Sequence, residues 1–206
     1  MKKIFAIASI AILIPSLSNA NFTGWYIGGE LGSSQHQISI PYEKLHSGTQ
    51  YSGNFESQGN KSTGLSILGG FGFQFGQSNF IGQAEAKYRF ISGAKSKFEG
   101  ENITKEKANI SIAYLQGYRI SERFLPYVKL SLDAGVFDIN QENIPKANYV
   151  SIENSSVIGI GLGAGIKYAV TDAINVGIEY HRAALNGQDN IKVKTSNIGL
   201  NFSYQF

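Results

Sequence analysis

Cysteine is absent from the 206-residue chain, which excludes a disulfide framework and any thiolate chemistry. A charge excess of one sign is also missing. The formal charge of +3 falls to +1 once Lys2 and Lys3 are set aside, leaving 16 basic residues against 15 acidic. That near balance argues against a nucleic-acid partner. No stretch carries a convincing apolar period of 3.6. The apolar run "IFAIASIAILI" over 4–14 is too short to cross a bilayer as a helix, which needs about 20 residues.

That run has another reading. It follows the basic Met1-Lys2-Lys3, ends at Pro15, and precedes "SLSNA", with Ser18 and Ala20 at −3 and −1 of a cleavage site. Basic, apolar and small segments in that order form a secretory signal peptide. Residues 1–20 are therefore expected to be a cleaved signal, and 21–206 one mature domain.

What fills the mature chain is glycine, tyrosine, phenylalanine and a period of two. "GWYIGGELG" sets Trp25, Ile27 and Leu31 against Tyr26, Gly28 and Glu30. "TGLSILGGFGFQF" and "FIGQAEAKYRF" continue the alternation, the latter opposing Ala84, Ala86, Tyr88 and Phe90 to Gln83, Glu85, Lys87 and Arg89. "NISIAYLQGY", "YVKLSLDAGV", "VIGIGLGAGIKYAV", "INVGIEYHR" and the closing "SNIGLNFSYQF" complete eight strands. Short turns are expected at 76–79, 121–123 and 171–172, and long polar loops at about 36–61, 92–107, 138–155 and 183–192.

One face of each strand is continuously apolar, while the other mixes Gly, Ser and Gln with full charges. A lipocalin-like soluble barrel would turn the apolar face inward. A narrow barrel in a membrane turns it to lipid and fills its interior with small and polar side chains. Short turns at one end and long loops at the other favour the second. So do the aromatics beside the turns and chain ends: Phe22, Trp25, Phe73, Phe75, Phe80, Phe124, Tyr168, Tyr204 and Phe206. The fold expected is all-β, an eight-stranded antiparallel up-and-down transmembrane β-barrel. Its inward charges would be Glu30, Glu85, Asp133 and Glu179 against Lys87, Arg89, Lys129 and Lys167, a balance suited to a closed lumen.

Chemistry is thinly represented. "GIGLGAG" matches a nucleotide loop only superficially, since it alternates within a strand and does not open a helix. His36, His46 and His181 have no partners at ligand-like spacing, so surface positions are expected for them, with no metal and no cofactor.

The segments "GWYIGGELG", "GQAEAKYRF", "LPYVKLSLDAGV", "GLGAGIKYAVTD", "INVGIEYHR" and the terminal "YQF" resemble the opacity-protein and outer-membrane-protein-A-like (porin-family surface antigen) superfamily. The resemblance implies the outer membrane of a Gram-negative bacterium, with outer-membrane lipid and lipopolysaccharide around the barrel. It also implies a C-terminal signal, Phe202, Tyr204 and Phe206, read by the barrel-assembly machinery. Some members keep two acids and two bases that exchange partners inside the barrel. Glu85 stands at one of those positions, but Leu115, Gly177 and Lys167 stand at the others.

Function is then expected of the loops: a surface antigen or adhesin binding a host surface or matrix protein. "PYEKLHSGTQYSGNFESQGNKS" offers Tyr42, Lys44, His46, Tyr51 and Phe55 as its candidate binding residues. A purely structural barrel or a narrow pore are the alternatives. An enzyme is not expected. The lipid A deacylase barrels place a nucleophilic serine two residues after a histidine, and Ala183 follows His181 here. His36 likewise lacks an evident Asp and Ser to complete a palmitoyltransferase site.

Overall fold

The computed structural model describes residues 22–41, 53–92, 95–99, 101–140, 154–187 and 190–206. Their elements are eleven strands: β1 (Gly24–Pro41), β2 (Asn54–Glu56), β3 (Gln58–Asn60), β4 (Ser62–Gln74), β5 (Phe80–Ser92), β6 (Lys95–Phe98), β7 (Glu101–Tyr118), β8 (Phe124–Ile139), β9 (Asn154–Ala169), β10 (Ile174–Gly187) and β11 (Lys192–Gln205). Eight of them form a closed antiparallel ring in the order β1-β4-β5-β7-β8-β9-β10-β11, and β11 returns to β1. Closure pairs each strand of the ring with a neighbour on both sides, the condition for a sheet to stand in hydrocarbon.

The period of two decides which face is which. Exposed outward residues include Ile110 and Ile112 on β7, Leu130 and Leu132 on β8, Ile158, Ile160 and Leu162 on β9, and Ile198, Leu200 and Phe202 on β11. Their inward neighbours Ser111, Ser131, Asn201 and Ser203 are buried. An apolar band about 25 Å tall, crossed by strands tilted about 40° and rising ~3.4 Å per residue, takes nine or ten residues per strand. On β8 the window is Val128–Val136, and on β1 it runs from Trp25 to about Ser33.

Aromatic pairs mark the turn end of this band. Trp25 packs on Phe71 with ring centroids 5.1 Å apart, Phe80 on Tyr118 at 5.1 Å, and Tyr204 on Phe206 at 5.2 Å. Phe22 is an exception to the expected girdle. It is fully buried inside the barrel with Ile81, Leu125 and Ala169, and these four floor the lumen. The chain reaches that position through a left-handed backbone at Phe22 (φ 77°).

The short turns fall between β4 and β5, β7 and β8, and β9 and β10, where they are expected. In the last, Thr171 Oγ1 accepts from the backbone N–H of Ala173 and Ile174 at 3.3 and 3.0 Å. At the other end, much of what reads as loop is strand. β1 continues through residues 36–41, β7 begins at Glu101, and β10 runs to Gly187. β2 pairs with the end of β1, while β3 and β6 pair with each other and extend the sheet from β7. Two irregularities hide these strands from a periodicity count: register shifts at Ser96/Lys97 and Glu106/Ala108 each move the alternation by one residue, as a bulge must. The barrel wall therefore rises well above the lipid band.

Candidate functional site

Inside the wall, all eight interior charges expected from the alternation face the lumen and are buried. Glycines opposite them supply the space. A Cβ at Gly199 would lie 2.5 Å from the Glu30 carboxyl carbon, and one at Gly165 would lie 2.5 Å from the Tyr127 hydroxyl. An eight-stranded ring has an interior only wide enough for side chains, so each long inward residue needs a small one facing it.

Seven of the eight form one continuous chain, Arg89 joining it 4.0 Å from Glu30 Oε1, while Asp133 stands apart. Lys129 Nζ donates to Glu85 Oε1 at 3.0 Å and to Glu179 Oε1 and Oε2 at 3.0 and 3.2 Å. Lys87 Nζ bridges Glu179 Oε1 at 3.0 Å and Glu30 Oε2 at 2.9 Å. Lys167 lies 3.7 Å from Glu85 Oε2, donates to Gln83 Oε1 at 2.6 Å, and sits over the Tyr26 ring at 4.6 Å from its centroid. Tyr26 and Tyr127 donate their hydroxyls to Glu85 and Glu179 at 3.1 and 2.9 Å, and Asn197 donates to Glu30 Oε1 at 3.0 Å. Buried ion pairs stabilise only when their remaining lone pairs and protons are satisfied, and these extra donors do that.

The balance of four against four is incomplete. Glu106 is a fifth buried carboxylate, 3.7 Å from Arg89 Nη1. The bulge beside it conceals its inward direction in the sequence. Tyr26, Gln83, Tyr127 and Asn197 are further participants. Their parity places them inward, but residue type alone does not mark them as partners of charge.

Two histidines require correction. His36, expected at the surface, is 1% exposed; its Nε2 lies 2.7 Å from Thr104 Oγ1 and its ring packs on Phe137 at 5.1 Å. His36 stands beyond Gln35, above the lipid window, and burial lowers its pKa to about 4. His181 is also inward and buried. Its Nε2 lies 2.8 Å from Ser131 Oγ and 3.5 Å from Asp133 Oδ2, while Ser131 donates to that same Asp133 oxygen at 2.6 Å. Ser, His and Asp thus meet, but not as a relay: the acid and the hydroxyl share one ring nitrogen instead of flanking the imidazole. Gly161 makes the room for this cluster, since a Cβ there would lie 2.5 Å from both Asp133 Oδ2 and Ser131 Oγ and would meet His181 Nε2.

Above the charges the interior turns apolar. Ile38, Ile40, Phe55, Ile103, Phe137, Ile139, Leu185, Ile191 and Val193 belong to one buried cluster at the loop end. Phe55, expected as a loop binding residue, is 2% exposed and belongs to this roof. The β2–β1 pairing Ile40↔Phe55 turns it inward. Tyr42, Lys44, His46 and Tyr51 lie outside the described residues. A floor, a charged middle and an apolar roof thus line the lumen with buried side chains at three levels among the described residues.

A closed eight-strand ring, an apolar belt and a polar packed interior define an architecture that a family model can test. The model described as "Outer membrane protein beta-barrel domain" matches residues 4–206. The chain belongs to this outer-membrane β-barrel family. Its location is accordingly the outer membrane of a Gram-negative bacterium, with lipid around the belt. No curated protein matches the chain in sequence. Among solved structures, it is similar to Neisserial surface protein A (NspA; 13% identity, TM-score 0.54, covering 89% of this chain and 98% of that one). It is also similar to the outer membrane protein OprG from Pseudomonas aeruginosa (16%, 0.52, 91% and 98%). Both similarities concern the fold.

Proposed function

We propose that this outer-membrane barrel is a surface antigen or adhesin that acts through its loop end, on a host surface or matrix protein, and that it is not an enzyme. The observation that supports the reading is a lumen lined by buried ion pairs and an apolar cluster, beneath strands that continue past the lipid band. A barrel packed with ion pairs and an apolar roof supports display better than transport. A roof of Ile38, Ile40, Phe137 and Leu185 stiffens the strands from which the long segments depart, and binding residues are typically held on loops by such scaffolds. The Ser131–His181–Asp133 cluster lies inside this packing, away from the lipid face where a lipid-modifying site would need it.

Two further assignments complete the reading. Residues 1–20 act as the cleaved signal peptide, and Phe202, Tyr204 and Phe206 as the segment read by the assembly machinery. Both Phe202 and Tyr204 point outward from β11, where a docking protein can meet them before closure. Deleting residues 42–52 and scoring attachment of cells to host matrix tests the adhesin role. Loss of attachment with normal barrel levels is expected, and unchanged attachment refutes the role for that loop. A narrow pore is the competing reading; stable openings in planar bilayers would favour it over display.

A further inference from the structure

The outward surface changes character just above the apolar belt on β1, β10 and β11. Below the line stand Leu31, Ile198 and Tyr180; above it stand Gln35, Gln37, Ser196, Lys194 and Arg182. The register brings them into two rows across the strands. Gln35 faces Ser196 and Ser196 faces Arg182, while Gln37 faces Lys194 and Lys194 faces Ala184. These residues line a cleft of about 220 Å³ that opens outward, with Tyr180 at its lower lip. Among the described residues, the outward positions of these three strands above the belt hold no carboxylate. Arg182 and Lys194 are exposed, and among the described residues neither has an ion-pair partner within 4.0 Å.

Height decides what such a cleft meets. Arg182 follows Tyr180 by two residues, roughly 7 Å along a strand, or about 5 Å of vertical rise at the usual tilt. The headgroup layer on each side of a bilayer is about 5–7 Å thick, being half the difference between the full and hydrocarbon thicknesses. The Arg182 guanidinium therefore lies in the headgroup layer of the outer leaflet, and Lys194 lies one row higher within reach of the same layer. Guanidinium forks match phosphate geometry with paired hydrogen bonds, and an ammonium adds a second charge. Glutamine and serine side chains beside them suit sugar hydroxyls.

We infer that the Arg182–Lys194 cleft is a binding site for the phosphorylated sugar headgroup of an outer-leaflet glycolipid, separate from the loop surface that carries the proposed host contact. The same strands carry its acyl side: Ile198, Leu200 and Phe202 on β11 continue downward from the cleft as exposed apolar surface. Headgroup and chains thus find matching chemistry on one stripe of the barrel. A free phosphate would use only the upper part of that stripe.

The test uses the full barrel in phosphatidylcholine nanodiscs titrated with diphosphorylated lipid A, with bound lipid counted by native mass spectrometry. Replacing both cations, Arg182→Gln with Lys194→Gln, is expected to weaken retention about 10- to 100-fold, as expected for losing two charge-assisted contacts. Lys105→Gln, on the exposed surface of β7, should leave retention unchanged. Independently of any variant, dephosphorylated lipid A should bind the unaltered barrel no better than it binds the double variant. Equal retention of the two lipids, or of lipid A by the unaltered barrel and the double variant, overturns the site. Full competition by millimolar inorganic phosphate would reassign it to free phosphate. Tighter binding of heparin through the same two residues would reassign it to an acidic polysaccharide.

Discussion

Lys129 is the residue on which the packed lumen depends most heavily. Its side chain has no solvent exposure, and its ammonium is held by two carboxylates, at 3.0 Å from Glu85 Oε1 and 3.0 Å from Glu179 Oε1. Lys129→Met keeps the chain length and removes the charge. Glu179 then retains Lys87 at 3.0 Å and the Tyr127 hydroxyl, while the nearest base to Glu85 is Lys167 at 3.7 Å, beside the Tyr26 hydroxyl at 3.1 Å. Removing one member of a buried pair costs about 3–5 kcal/mol, because the partner is left without compensation. The second bases at each carboxylate place the expectation at the lower end, about 3 kcal/mol. That is roughly a hundredfold shift in the folding equilibrium. Equilibrium urea unfolding in detergent micelles, followed by heat-modifiable gel migration, reads it directly. Adding Glu85→Gln to Lys129→Met should recover part of the loss, since the least compensated carboxylate is then neutral. A loss under about 1 kcal/mol, the range of an exposed pair, would refute the reasoning, and so would further loss in the double variant.

Other perturbations probe different parts of the barrel. Gly161→Ala places a methyl among Ser131, Asp133 and His181, and should cost about 1–3 kcal/mol in the same unfolding assay, as overpacking does. His36 supplies a pH signature. Its pKa is lowered to about 4 by burial, against about 6.5 when unfolded, so the unfolded chain binds more protons between those values. Stability is then full above pH ~6.5 and declines by up to about 3 kcal/mol as pH falls to 4; His36→Gln should flatten that part of the profile. Phe206→Asp alters the residue whose N–H donates to Trp25 O at 2.8 Å across the closing seam. It should reduce inserted barrel on cell fractionation while export across the inner membrane stays normal.

The legible part of this fold was the part with an uninterrupted period. From Val157 to Tyr168 and from Ile198 to Gln205, alternation assigns each residue to lipid or lumen, and the ring places them so. His181 shares the parity of Glu179 and faces inward with it; that parity outranks the surface preference behind its expected position. What stayed hidden lies where the period slips or the segment is short. The bulge at Glu106/Ala108 disguises the start of β7 as a polar loop and with it the carboxylate of Glu106. Three-residue strands such as β2 are too short for any count, so Phe55 reads as an exposed aromatic until its pairing with Ile40 is known. The Arg182–Lys194 cleft needs the register of three strands, which no local pattern carries.

Protease shaving of intact cells, read by mass spectrometry beside heat-modifiable migration of the remnant, tests the architecture and its orientation together. Cleavage confined to the 42–52 and 141–153 segments, with the barrel still migrating in its compact form until boiled, is the result expected. Cleavage at the turns around 76–79, 121–123 or 171–172 from the outside would invert the topology, and loss of the compact form would contradict a closed, packed barrel.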